Sequence, residues 1–136
     1  MKIVLDTNVI ISAFVTRGVC ADLYEYCLKE MTIFASTFLL DEVEMVLVKK
    51  LKFSNKQARQ IKKLYLTHCK LVTPASLPAK VFKDKTDIPI LGTAKAGKVD
   101  FLVTGDEDLV NLKKYSSFRI LLPKDFIKLI IRNSKF

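Results

Sequence analysis

Short apolar runs alternate along this chain with longer stretches in which apolar residues recur every three or four positions. Residues 2 to 5 form one such run, with the apolar Ile3, Val4 and Leu5 in the pattern of a strand covered on both faces. Val9 to Phe14 and Ala21 to Lys29 read as helix, the second with Leu23, Tyr26 and Cys27 at helical spacing. Thr32 to Ala35 reads as a second strand. Ser36 or Thr37 can cap the helix that follows, whose stripe is Leu39, Leu40, Val43 and Leu47. Ser54 or Asn55 caps another, in which Ala58, Ile61, Leu64 and Tyr65 are predicted to face inward.

Further on, Leu71 and Val72 form a brief strand that Thr73 and Pro74 end, and residues 75 to 83 read as loop. A helix is predicted from about Thr86 to Ala96, with Gly97 as its C′ residue. Phe101 to Thr104 is a strand, Gly105 to Leu109 a turn and Ile120 to Leu122 a strand, and Pro123 opens a last helix at a favourable first-turn position. Strands alternating with helices imply parallel pairing through right-handed crossovers. The expected fold is therefore α/β: a three-layer α/β/α sandwich around a central, mainly parallel sheet of about five short strands. In such sheets ligands bind outside the carboxyl ends of the strands, near a switch in strand order.

Composition sets the bounds. The chain has 136 residues, half of them apolar, which suits one domain over residues 1–136 with a single core. Cys20, Cys27 and Cys69 are odd in number and form no CxxC pair, so they read as small hydrophobes in a reducing compartment. The opening apolar run is interrupted by Asp6 and Asn8 and does not resemble a signal peptide, and no run approaches the roughly 20 apolar residues of a membrane span. A soluble, cytoplasmic protein is expected.

The formal charge is +9. Its distribution says more than its sum, because no acid occurs between Glu44 and Asp84, whereas Lys49, Lys50, Lys52, Lys56, Arg59, Lys62, Lys63, Lys70, Lys80 and Lys83 all fall there. A solvated lysine-rich helix explains such a run as well as a surface for polyanions does. Within this stretch Phe53 and Tyr65 could stack bases, although aromatic residues in an apolar helical stripe more often belong to the core.

The acids missing from that interval recur where strands should end. Asp6 follows the first strand directly, and Asp106 follows the strand 101–104 after one glycine. Asp87 lies near the start of the helix before that strand, and Glu42 in the second turn of the helix after the second strand. Each has an ordinary explanation: Asp6 as a helix cap, Asp87 as a complement to a helix dipole, Asp106 or Asp108 in an Asx turn, Glu42 on the surface. Gathered in one crevice, however, like charges about 4 Å apart repel by around 4 kcal/mol at an effective dielectric near 20, so the group would raise its pKa values or take up a cation. Magnesium or manganese suits such oxygen ligands beside phosphates. With His68 the sole histidine, a zinc site is not expected.

Five segments together resemble the PIN domain family, in particular its small prokaryotic members classed as toxins of toxin-antitoxin systems. Val4-Leu5-Asp6-Thr7-Asn8-Val9 is similar to the family's opening motif, and Leu39-Leu40-Asp41-Glu42-Val43 to its glutamate-bearing helix. Asp84-Lys85-Thr86-Asp87-Ile88-Pro89-Ile90-Leu91 resembles the third motif. Leu102-Val103-Thr104-Gly105-Asp106-Glu107-Asp108-Leu109 resembles the fourth, and Leu122-Pro123-Lys124-Asp125-Phe126 the usual start of the last helix. The resemblance implies a metal-dependent endoribonuclease acting on single-stranded RNA, with one or two Mg2+ or Mn2+ ions held by Asp6, Glu42, Asp87 and Asp106. Asp108 is implied as a further candidate ligand, and Thr7, Asn8 and Thr104 as hydrogen-bonding neighbours. The third acid is assigned to Asp87, with Asp84 the alternative, since Thr86 stands where many relatives carry another acid. Lys49, Lys50, Lys52, Lys56, Arg59, Lys62 and Lys63 would then follow the RNA backbone. A cognate antitoxin protein and a homodimer, the latter through the apolar stretch Phe126 to Ile131, are the implied protein partners.

Two rivals remain. A phosphate-receiving regulatory domain also gathers acids at strand ends, but it should show an adjacent acid pair after its first strand, where this chain has Leu5-Asp6-Thr7. A non-catalytic PIN-like module would bind RNA or a protein through the positive face and need none of the acids.

Overall fold

The computed structural model describes residues 1–78, 80, 82 and 87–133. Lys83, Asp84 and Thr86, and so the expected helix start at Thr86, lie outside the described residues. Among the described residues six strands form one sheet: β1 (Lys2–Leu5), β2 (Thr32–Ala35), β3 (Cys69–Leu71), β4 (Phe101–Val103), β5 (Lys114–Tyr115) and β6 (Phe118–Leu121). Their order is β3-β2-β1-β4-β6-β5, and every pairing is parallel except β5 with β6. The chain thus builds outward from β1 in one direction, then returns to lay β4 on the other side of β1. The switch in strand order falls between β1 and β4.

Among the described residues seven helices cover the sheet: α1 (Thr7–Val15), α2 (Val19–Glu30), α3 (Thr37–Lys49), α4 (Asn55–Thr67), α5 (Ile88–Ala96), α6 (Glu107–Val110) and α7 (Pro123–Asn133). Ile3, Val4 and Leu5 are all fully buried, so β1 is covered on both faces. Ile3 is in register with Phe101, and the ring of Phe126 in α7 meets Phe101 edge-on at 5.3 Å, which puts α7 on the Ile3 face. Val4 is in register with Phe34, and the end of α5 at Gly97 abuts the Phe34 ring, which puts α5 on the other face. The sandwich is thereby three-layered, as the alternation of elements predicts.

Local chemistry explains most element boundaries. Ser36 caps α3 by accepting from the Leu39 N–H, and Ser54 and Gln57 form a reciprocal capping box at α4. Four expectations need correction. The third strand lies at Cys69–Leu71, two residues earlier than Leu71–Val72 at its start. The turn expected over 105–109 gives way from Glu107 to the single-turn helix α6. Leu64 is half exposed, because it sits about 100° round the helix from Tyr65. Gly97 is not left-handed, and that conformation falls on Lys98 (φ 50°). Gly97 is instead a site of close approach: a Cβ there would lie 3.1 Å from the Phe34 ring and from Val99.

The cysteines are unpaired. Burial pushes the Cys27 thiol up to about 12 and Cys69 up to about 11, so neither is a ready nucleophile. Tyr65 is fully buried and its hydroxyl has no partner among the described residues, which removes it as a base-stacking surface; Phe53 packs against the core. In α7 Phe126 is buried, while Ile131 is exposed. Among the described residues no helix is long and apolar enough to cross a membrane.

Candidate active site

Asp6 leaves the carboxyl end of β1 and its backbone N–H still bonds to the Val103 carbonyl of β4 at 2.9 Å. The acid is therefore held at the switch point by the sheet itself. It also caps α1: Oδ1 accepts from the Thr7 N–H at 2.7 Å, and Oδ2 accepts from the Thr104 hydroxyl at 2.7 Å. The capping role is therefore present, and it leaves each carboxylate oxygen a second lone pair.

Asp106 follows β4 and its N–H donates to Thr104 Oγ1 at 3.0 Å, so one hydroxyl ties the two aspartates together. Its Oδ1 accepts from the Asp108 N–H at 2.9 Å, the expected Asx geometry at the start of α6. On α3, Glu42 accepts from the Thr7 hydroxyl, which orients the carboxylate toward the β1 edge. Asp87 occupies the N-cap position of α5.

These four acids line one concavity of about 300 Å³, together with Thr7, Asn8, Ile11, Met45, Val46 and Lys50. Asp108 does not line it; its part is the amide that holds Asp106. Asn8 Oδ1 accepts from the Gly105 N–H at 2.8 Å, which fixes the amide against the loop after β4. The two remaining neighbours picked out from sequence, Thr7 and Thr104, each bind an acid directly.

Asp6 is only 6% exposed, and burial raises its pKa above the ordinary 3.8; the bonds from Thr104 and Thr7 oppose the rise, and the charges of Glu42 and Asp106 add to it. The donor set consists of hard carboxylate oxygens, the chemistry that magnesium and manganese accept. Among the described residues no three histidine, cysteine, aspartate or glutamate side chains stand close enough together to hold a metal ion. The concavity is an open acidic bowl to which four separate elements each bring one carboxylate.

The basic residues divide. Lys56, Arg59, Lys62 and Lys63 line a second depression along α4, and Lys49 a third. Lys52 lies beyond the end of α3, in the link to α4, with a left-handed backbone (φ 61°). Lys62 is committed to acids, at 2.7 Å from Asp41 and 2.9 Å from Glu44. Among the described residues Lys50 is the one basic side chain that lines the acidic bowl.

Sequence reasoning missed a buried pair. The Ser36 and Thr93 hydroxyls lie 2.8 Å apart, and Thr93 donates in turn to the Pro89 carbonyl at 2.8 Å. With the Leu39 N–H donating to Ser36, the proton directions are settled: Ser36 must donate to Thr93. This relay ties the start of α3, which carries Glu42, to the start of α5, which follows Asp87.

The sequence model of the PIN domain family matches residues 2–108, a span that contains all four acids. Two solved structures share the fold. One is VapBC2 from Rickettsia felis, determined bound to a DNA fragment from the promoter, at 18% identity and TM-score 0.62 over 88% of this chain and 97% of that one. The other is PAE2754 from Pyrobaculum aerophilum, at 16% identity and TM-score 0.60 over 96% of this chain and 90% of that one. A search of curated protein sequences found no significant match.

Proposed function

This chain belongs to the PIN domain family, and on that premise we propose that it is a metal-dependent endoribonuclease of single-stranded RNA, the toxin half of a toxin-antitoxin pair. The observation that carries the reading is the convergence of Asp6, Glu42, Asp87 and Asp106 on one bowl at the switch point of the sheet.

In this reading Asp6, Asp87 and Asp106 hold one or two magnesium or manganese ions, and Glu42 orients a water or assists with a second ion. A bound divalent ion supplies charge that lowers the pKa of water and offsets charge on phosphodiester oxygens. The chain's own residues do the rest. Thr104 keeps Asp6 and Asp106 side by side, Thr7 aims Glu42, and Asn8 is braced by Gly105. In-line displacement by water would break the P–O3′ bond and leave a 5′ phosphate and a 3′ hydroxyl. The basic residues Lys49, Lys50, Lys52, Lys56, Arg59 and Lys63 would grip the backbone; Lys62 is spent on Asp41 and Glu44.

A partner protein is part of the proposal. The likeness to a VapBC2 complex supports an antitoxin, and Phe38, Met45, Leu64 and Leu71 leave apolar surface exposed for one. The apolar residues of α7 that remain outside the core, such as Ile131, are proposed for a homodimer contact. The chain is proposed to act in the cytoplasm.

The test is a labelled single-stranded RNA incubated with the purified protein and Mn2+ or Mg2+, beside Asp6→Asn and Asp106→Asn. Cleavage that needs the ion and disappears in both variants is the expected result. Cleavage surviving both would mark a contaminant, and RNA bound but left intact would favour the non-catalytic module.

A further inference from the structure

We infer that Lys50 is a substrate-binding residue of the acidic bowl, seating the ammonium on a non-bridging oxygen of the phosphodiester at or next to the bond that is cut. The inference rests on the nuclease reading and deepens it, because it singles out one basic residue from the stretch 49–63 and gives it a role inside the site.

Three observations carry it. Among the described residues Lys50 is the one cation that lines the bowl with Asp6, Glu42, Asp87 and Asp106. Despite those acids it is not consumed by them: both ion pairs found among the described residues belong to Lys62. A lysine that served merely to neutralise the bowl would lie against a carboxylate, as Lys62 lies against Asp41 and Glu44. Finally, its backbone is anchored. The Lys50 and Leu51 N–H groups both bond to the Val46 carbonyl, and Phe53 N–H to that of Leu47, so the end of α3 is fixed while the exposed stem is left to swing.

The ordinary explanation is that a lysine ends a helix because it complements the dipole. That accounts for a basic residue in the last turn and equally for Lys49, which lies over a different depression with Asp41 and Glu44. It does not account for an unconsumed cation over four acids. An incoming phosphodiester meets like charge from every acidic wall, and among the described residues that line it Lys50 alone offers an opposite charge. A lysine is a point charge without the planar fork of arginine, so it would read the phosphate and not the base.

The experiment compares wild type, Lys50→Met and Lys50→Arg on an oligoribonucleotide whose cleavage position has been mapped with wild type in Mn2+. The same oligonucleotide is also made with a single neutral methylphosphonate at the linkage cut or at each neighbour. Lys50→Met should lose roughly ten- to a hundredfold in kcat/KM, the scale of one hydrogen bond to a charged group, and Lys50→Arg should recover most of it. One methylphosphonate position should impair wild type and cost Lys50→Met little more. Mn2+ should bind Lys50→Met at least as tightly as wild type, followed by electron paramagnetic resonance. The inference is overturned if Lys50→Met cleaves like wild type, if every methylphosphonate impairs both proteins equally, or if the variant's loss traces to weaker Mn2+ binding. A wild-type protein that cuts no RNA overturns the nuclease reading and this inference with it, before any variant is compared.

Discussion

The Thr104 hydroxyl donates to Asp6 Oδ2 at 2.7 Å, joining the ends of two central strands. That bond opposes the rise in the Asp6 pKa that burial imposes. Thr104→Val removes it and also strips the Asp106 N–H of its acceptor. Since a ligating carboxylate must be ionised, the acidic limb of the pH–rate profile should move to higher pH in Thr104→Val and stay in place in Thr104→Ser. An unmoved limb in the valine variant would separate this hydroxyl from the chemistry.

Asp6 also makes stability depend on pH. Burial holds its pKa above 3.8 in the folded chain, so on raising the pH the unfolded chain releases this proton first. The contribution of Asp6 is thus most favourable at low pH and is lost as pH climbs from 3.8 through the folded value. In EDTA at pH 7, Asp6→Asn should melt above wild type, and the gap should shrink toward pH 4. Adding Mn2+ should raise the wild-type melting temperature and leave the variant nearly unchanged. Thermal melts followed by circular dichroism decide both points.

Thr93 gives a test of the relay between helices. Thr93→Val keeps the shape but leaves the buried Ser36 hydroxyl without its acceptor, at a cost of about 1–3 kcal/mol in urea unfolding. Ser36→Ala also loses the cap of α3, typically about 1 kcal/mol. Because the relay sets how α3 and α5 meet, Thr93→Val should weaken Mn2+ binding as well. Wild-type affinity in a destabilised variant would confine the pair to packing.

Lys62 should behave unlike its neighbours. Its partners are partly solvated, so Lys62→Met should change stability by less than about 1 kcal/mol. The salt dependence of RNA binding should be nearly that of wild type, while Lys56→Met or Lys63→Met each lowers the slope by roughly one. Fluorescence anisotropy across a salt series reads the difference.

Much of this architecture is legible in the residues themselves. Ile3-Val4-Leu5 and Phe101-Leu102-Val103 announce buried strands because full burial on both faces demands unbroken apolar runs. Asp6 and Asp106 are then placed by strand ends alone. β5 was not legible: Lys114-Tyr115 carries no apolar run and exists through its antiparallel pairing with β6. Leu64 misled because a leucine beside a stripe looks like part of it. The Ser36–Thr93 bond left no local trace, for its partners are 57 positions apart and each alone reads as a cap or a helix interior residue.

The adjacency of β1 and β4 has a consequence for how the protein is made. Asp6 emerges from the ribosome 98 positions before Thr104, yet the two meet at the central seam of the sheet. Until β4 has been translated, that seam has no second side and Asp6 lacks its companion acid on the opposite strand. A nascent chain therefore carries the first carboxylate without the surroundings that complete it until residue 106 has been translated.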